Sequence, residues 1–174
     1  LWDRQTNQEI AKVLTGGLLP PPLWFANSHA FVVTAFPEQN SKREWFMVNI
    51  DGEIRQLTHF ADTFPKFKIG FYTSISPDGR YLAFGMSSEN DPRLFVPMDL
   101  TILDLMTLDV FNTCISFDNS APIWSPDSQY LVIQHPDPQP SPHSIVVLNV
   151  DAGWAVSVLS NEYRYPVGWL DSGE

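Results

Sequence analysis

The chain has 174 residues, with 20 Asp and Glu against 10 Lys and Arg, a formal charge of −10. That sign repels phosphate backbones and argues against a nucleic-acid partner; the densest basic spots, Lys42-Arg43 and Lys66-Phe67-Lys68, read as solvated loops. Hydrophobic residues at 44% exclude disorder, while 13% aromatics and 15 Pro favour short strands joined by rigid turns, hence an all-β chain.

The elements fall in order along the chain. Leu1 to Asn7 followed by Ile10 to Leu14 predicts a hairpin within residues 1–15. Residues 22–58 read as four strands: a hairpin within Trp24 to Val33, then Trp45 to Ile50 turning at Asp51-Gly52 into Ile54 to Thr58. Ile75-Ser76-Pro77-Asp78-Gly79-Arg80-Tyr81-Leu82-Ala83-Phe84 opens the next unit, residues 71–115, which closes with Ile102 to Thr107 and Val110 to Ile115. Its Ser-Pro-Asp-Gly is turn chemistry: Pro presets φ, Asp bonds nearby backbone, and Gly tolerates positive φ. The apolar run that follows is that of a strand buried on both faces. Trp124-Ser125-Pro126-Asp127-Ser128-Gln129-Tyr130-Leu131-Val132-Ile133 repeats the pattern and, with Ile145 to Ala152 and Ala155 to Leu159, fills residues 121–160. Trp169-Leu170-Asp171-Ser172-Gly173-Glu174 reads as the first strand of a further unit, residues 166–174.

The repeat sets the architecture. Trp24, Ile75, Trp124 and Trp169 lie 51, 49 and 45 residues apart, and Asp3, Asn49, Asp104 and Asn149 lie 46, 55 and 45 apart. That period belongs to β-propeller blades. Three whole four-stranded antiparallel blades and two partial ones are expected, forming an arc of a larger ring with further blades elsewhere. Closing only about four would sit at the lower limit for propellers, and the last blade lacks its second strand. The chain also opens on Leu1 rather than Met, which fits an arc.

The stretches at 75–84 and 124–133, with Gly52-Glu53-Ile54-Arg55-Gln56-Leu57-Thr58 as a blade-closing strand, resemble the WD-repeat-like propeller blades of the TolB type. The match runs from Trp2 to Trp169 and is weakest at 24–33, where no Pro-Asp pair occurs. The resemblance implies a bacterial propeller used for protein contact, periplasmic or extracellular. Similar blades also form the non-catalytic domain of prolyl-oligopeptidase-like peptidases and the sensor domains of membrane-bound proteins, and fold does not choose among these.

No catalytic residue is expected, and no cofactor. The sequence has no Gly-x-Ser-x-Gly elbow, P-loop or Rossmann glycine pattern. His29 and His59 read as surface imidazoles, and Cys114, in the apolar run from Val110 to Ile115, as a small core residue. No window approaches the ~18 apolar residues that span a bilayer, so no membrane insertion is expected within this segment. His135-Pro136-Asp137-Pro138-Gln139-Pro140-Ser141-Pro142-His143 carries metal-ligand types, but its spacing suits no common site and its prolines describe a rigid connection. Ser87 to Arg93 is oxygen-rich without the alternation of a calcium loop.

Both of these segments join the second and third strands of their blades and share one propeller face with the blade-to-blade connections at 59–70, 116–122 and 161–166. Function concentrates on loops held by a rigid scaffold. The expected binding surface for a protein or peptide is therefore that face, through Lys66, Phe67, Glu89, Asn90, Asp91, Arg93, His135, Asp137, His143, Tyr163, Arg164 and Tyr165. The alternative is a propeller domain gating a serine hydrolase whose catalytic domain lies outside this chain.

Overall fold

The computed structural model describes residues 2–3, 7–9, 20–38, 41–88, 97–117, 120–136, 144–159, 166 and 168–170. In chain order its strands are β1 (Trp2–Asp3), β2 (Gln8–Glu9), β3 (Leu23–Trp24), β4 (Ala30–Ala35), β5 (Glu44–Asn49) and β6 (Ile54–Gln56). A single helical turn, α1 (Phe60–Thr63), leads into β7 (Phe67–Ile75), β8 (Tyr81–Ser88), β9 (Met98–Asp104) and β10 (Val110–Phe117). The last sheet holds β11 (Ile123–Trp124), β12 (Tyr130–His135), β13 (Ser144–Asn149) and β14 (Trp154–Leu159). Strands β3 to β6, β7 to β10 and β11 to β14 form three four-stranded antiparallel sheets in sequential order, and β1 pairs with β2 alone. The chain is all-β in the blade pattern.

The same turn builds the first hairpin of every blade. In the second blade the Ser76 hydroxyl donates to Asp78 Oδ1 at 2.6 Å and accepts the Tyr81 N–H at 2.8 Å, while Asp78 Oδ1 also accepts the Arg80 N–H. Ser125, Asp127, Gln129 and Tyr130 reproduce these bonds in the third blade. The first blade keeps the loop without the motif: Asn27 Oδ1 accepts the His29 N–H, and Phe25 brackets the turn through its backbone. Each turn holds one residue at positive φ, namely Ser28 at 58°, Gly79 at 75° and Ser128 at 63°. The shared loop length, rather than Pro-Asp itself, defines the unit.

Burial follows the pleat. On β8, Leu82, Phe84 and Met86 face the first blade and join Val32, Trp45, Leu57 and Phe60 in one core. Tyr81 and Ala83 face the other way, into a second core with Leu100, Phe117, Trp124, Leu131 and Ile133. Leu82, Ala83 and Phe84 are each 0% exposed, so β8 is covered on both faces, as a central strand between stacked sheets must be. The outer strands behave oppositely: Ile54, Phe111, Trp154, Val156 and Val158 remain exposed. An indole bond ties the second and third blades at their first strands, Trp124 Nε1 donating to the Ser74 carbonyl, and Trp169 Nε1 donates in the same way to the carbonyl of Ile123.

Two irregularities depart from the sequence reading. β7 starts at Phe67, inside the segment expected to connect blades, and its register with β8 shifts between Ile69 and Thr73. β10 shifts against β9 between Asn112 and Ser116, and Cys114 sits in that bulge with φ of 56°. The bulge turns the thiol outward, so Cys114 is an exposed free cysteine and not a core residue. A bulge breaks the period-2 alternation from which the apolar run was read.

Candidate functional site

Among the described residues, clefts open at both blade boundaries. The larger, about 670 Å³, opens between the second and third blades at the end carrying the hairpin turns, lined by Arg80, Tyr81, Asp104, Phe111 and Asp151 among others. Four of its polar side chains, Arg80, Tyr81, Asp104 and Asp151, bond to one another. Arg80 Nε donates to Asp104 Oδ2 at 3.1 Å, the Tyr81 hydroxyl donates to Asp151 Oδ1 at 2.6 Å, and the Arg80 guanidinium lies 4.6 Å from the Tyr81 ring centre. Asp104 Oδ1 also accepts the Met106 and Thr107 N–H groups. Burial and the Asp151 bond push the Tyr81 hydroxyl up to about 12. Burial alone would raise Asp104, but those amides and Arg80 together hold it below its ordinary value. This arrangement staples the second and third blades together.

The second cleft, about 380 Å³, opens between the first two blades on the opposite end, where the loops between second and third strands meet the blade-to-blade connection. Its floor is apolar, with Phe60, Ile69, Met86 and Met98. Met98 crosses two glycines: a Cβ on Gly70 would fall 2.0 Å from its sulfur, and one on Gly85 would fall 2.8 Å from its Cβ. The β7 bulge supplies Gly70 and Phe71 to the lining, and Phe71 stays 43% exposed.

Among the described residues, three cations line this cleft: Lys42, Arg43 and Lys68. Lys42 Nζ donates to the carbonyls of Pro65 and Phe67, which draws the β4–β5 connection against the start of β7. Arg43 lies 5.4 Å from the Phe36 ring centre, and burial pulls its guanidinium below the usual value. Glu44, next in sequence, turns away beneath. At 1% exposure its carboxylate accepts the Thr58 hydroxyl at 2.7 Å, the Phe60 N–H at 2.8 Å and the Ala61 N–H at 2.9 Å. A buried carboxylate with three donors is satisfied, and it fixes α1 under the cleft.

The structure thus joins the two basic spots that the sequence left as separate loops. Lys42 and Arg43 are half-buried, Phe67 and Lys68 belong to β7, and Phe67 packs against the core from the cleft wall. Lys66 is exposed just before β7. His135 ends β12, its Nδ1 3.0 Å from the Pro136 carbonyl, away from this cleft. Glu89, Asn90, Asp91, Arg93, Asp137, His143, Tyr163, Arg164 and Tyr165 lie outside the described residues. Lys42, Arg43, Lys68 and Phe71, which line this cleft, are not among the residues that the sequence pointed to. The separation of the basic spots hid their convergence, and nothing local marked the bulge that exposes Phe71.

No family model matches the chain, and no curated protein matches its sequence. Solved structures do match. TolB from Acinetobacter baumannii is 17% identical, covering 83% of this chain and 33% of that one at a TM-score of 0.52. The β-propeller domain of the Trilobed protease from Pyrococcus furiosus, described as having an open velcro topology, is 15% identical over 87% of this chain and 44% of that one, TM-score 0.55. A prolyl endopeptidase studied for inter-domain dynamics in catalysis is 16% identical over 75% and 20%, TM-score 0.56. The chain has the TolB-like β-propeller fold. It spans less than half the length of each of these proteins. Among the described residues no helix is long and apolar enough to cross a membrane.

Proposed function

We propose that this chain is a non-catalytic propeller module that binds a protein or peptide through the face carrying the Lys42–Lys68 cleft, in an extracytoplasmic setting. The carrying observation is the cleft itself: an apolar floor held rigid by two blade cores, rimmed by cations, with the exposed Phe71 ring beside it. Concave, pre-formed apolar sites with a few converging polar groups are the usual form of a ligand site. The extracytoplasmic setting rests on the likeness to TolB alone.

The test is peptide selection on the intact protein followed by titration of variants. Selected peptides are expected to lose at least about tenfold in affinity on Phe71→Asp. Met106→Ala, at a 77% exposed position on the opposite end, should leave them unaffected. Peptides that respond to Met106 and not to Phe71 overturn the assignment of this face. A second reading, the propeller domain of a prolyl-oligopeptidase-like serine hydrolase, is favoured by the likeness to peptidase propellers. Labelling of the intact protein by a serine-directed fluorophosphonate would establish it in place of the non-catalytic reading.

A further inference from the structure

We propose that Thr34 and Trp45 hold one buried water molecule between the first two blades, in the core that carries the floor of their cleft. The two residues are cross-strand partners on β4 and β5, so their side chains leave the same face of the sheet. Each is 0% exposed, and among the described residues neither the Thr34 hydroxyl nor the Trp45 indole N–H has a hydrogen-bond partner. Trp45 shares its core with Phe60, Ile69 and Met86, which line the cleft, so this face looks into the blade boundary. Its ring meets Phe84 edge-on, with ring centres 5.6 Å apart, which fixes the indole among apolar neighbours. A polar group buried unpaired forfeits its hydration, and buried polar groups are almost always satisfied by protein or by ordered water.

The polar side chains beside them are already used. Thr58 Oγ1 accepts the Trp45 backbone N–H and donates to Glu44, whose carboxylate also takes the Phe60 and Ala61 amides. Glu44 moreover leaves the opposite face of β5, as a strand neighbour of Trp45 must. A water suits the two groups that remain. The indole N–H only donates and a hydroxyl both donates and accepts, so one water takes the indole hydrogen and gives its own to Thr34 Oγ1. The repeat shows the dry alternative. Gly85 follows Gly79 by the interval that separates Thr34 from Ser28, and there the Met98 side chain lies over the strand, 2.8 Å from where a Cβ would stand. An apolar core alone would be served by valine at position 34, as it is by Val32 on the same face.

The experiment is a crystal structure of the intact protein together with urea denaturation of Thr34→Val, which keeps the side-chain shape and removes the hydroxyl. A solvent peak is expected within about 3.2 Å of both Trp45 Nε1 and Thr34 Oγ1. Thr34→Val should then lower the folding equilibrium constant about tenfold, because the water loses an anchor and the indole N–H its partner. Without the water the sign reverses: the variant discards an unpaired hydroxyl and gains stability. A Thr34→Val protein as stable as the wild type, or more stable, therefore overturns the proposal. So does density in which the indole and the hydroxyl are bonded to protein atoms or to nothing. Should Thr34→Val not fold, the wild-type density alone decides. Neither measurement depends on whether the cleft above binds a peptide.

Discussion

Asp78 and Ser128 sit 50 residues apart, and the backbone N–H of the first donates to the hydroxyl of the second at 3.0 Å. Both belong to the first-hairpin turns of their blades, so the bond joins two copies of one turn across a blade boundary. Ser128 holds φ of 63° to do this, and Ser28, at φ of 58°, occupies the same place in the first blade. Ser28→Gly is expected to raise stability by roughly 0.5–1 kcal/mol, because Gly reaches the left-handed region without steric cost. Ser128→Gly gains the same relief and loses the interblade acceptor, so it should be neutral or destabilising. Urea midpoints of the two variants make the comparison; equal gains would show that the Asp78–Ser128 bond contributes nothing.

Acid should act on the turns. Burial raises Asp78, but the Ser76 hydroxyl, the Arg80 N–H and Ser128 bring it below its ordinary value. Ser125 and the Gln129 N–H lower Asp127. A carboxyl with a folded pKa below its unfolded value stabilises fully above the unfolded value, about 3.9, and loses that contribution as pH falls further. Urea midpoints should therefore hold near pH 5 and decline below about pH 4, with a shallower decline in Asp78→Asn.

Alkali should act on Tyr81 with the opposite sign. Its folded pKa is raised to about 12, so its contribution is complete below its unfolded value and is lost as pH climbs. Between about pH 10 and pH 12 the wild type should lose stability that Tyr81→Phe, lacking the ionisable hydroxyl, does not lose. Tyr81→Phe begins lower at neutral pH, having given up the bond to Asp151.

Glu44→Ala removes the acceptor for the Thr58 hydroxyl and for the Phe60 and Ala61 amides in a buried setting. Leaving such donors unpaired should cost about 2–4 kcal/mol, read from chemical denaturation. Glu44→Gln keeps one oxygen acceptor and should fall between Ala and wild type.

The glycines under Met98 respond differently to one rescue. A Cβ on Gly70 meets chiefly the Met98 sulfur, at 2.0 Å, with the Gly85 carbonyl oxygen at 3.3 Å, whereas a Cβ on Gly85 meets the Met98 Cβ at 2.8 Å. Each Ala substitution should destabilise by about 1–3 kcal/mol through overpacking. Adding Met98→Ala should relieve Gly70→Ala and leave much of the cost of Gly85→Ala, because the clashing Cβ remains. Thermal midpoints of the single and double variants decide this.

What could be read in advance was local. Ser76, Asp78 and Tyr81 bond within five residues of one another, so their turn is written in consecutive letters. The double-sided burial of β8 follows from its unbroken apolar run. The cleft was illegible because it depends on distant pieces: Lys42 reaches Pro65 and Phe67 only because Glu44 and α1 bring the intervening chain back. Cys114 misled for a related reason, since alternation assigns faces correctly only while the register is intact.

The bulge in β7 gives this cleft an uncommon origin. Between the pairs Ile69–Met86 and Thr73–Phe84, β7 carries two residues more than β8, and those extra residues set Phe71 at the rim. The opening is therefore a matter of chain length rather than of side-chain identity. A short in-frame deletion within β7 would let the strand lie flush and erase the site, while the paired stretches on either side kept their partners. On this scaffold the cleft is a feature that one small insertion can grant and one small deletion can withdraw.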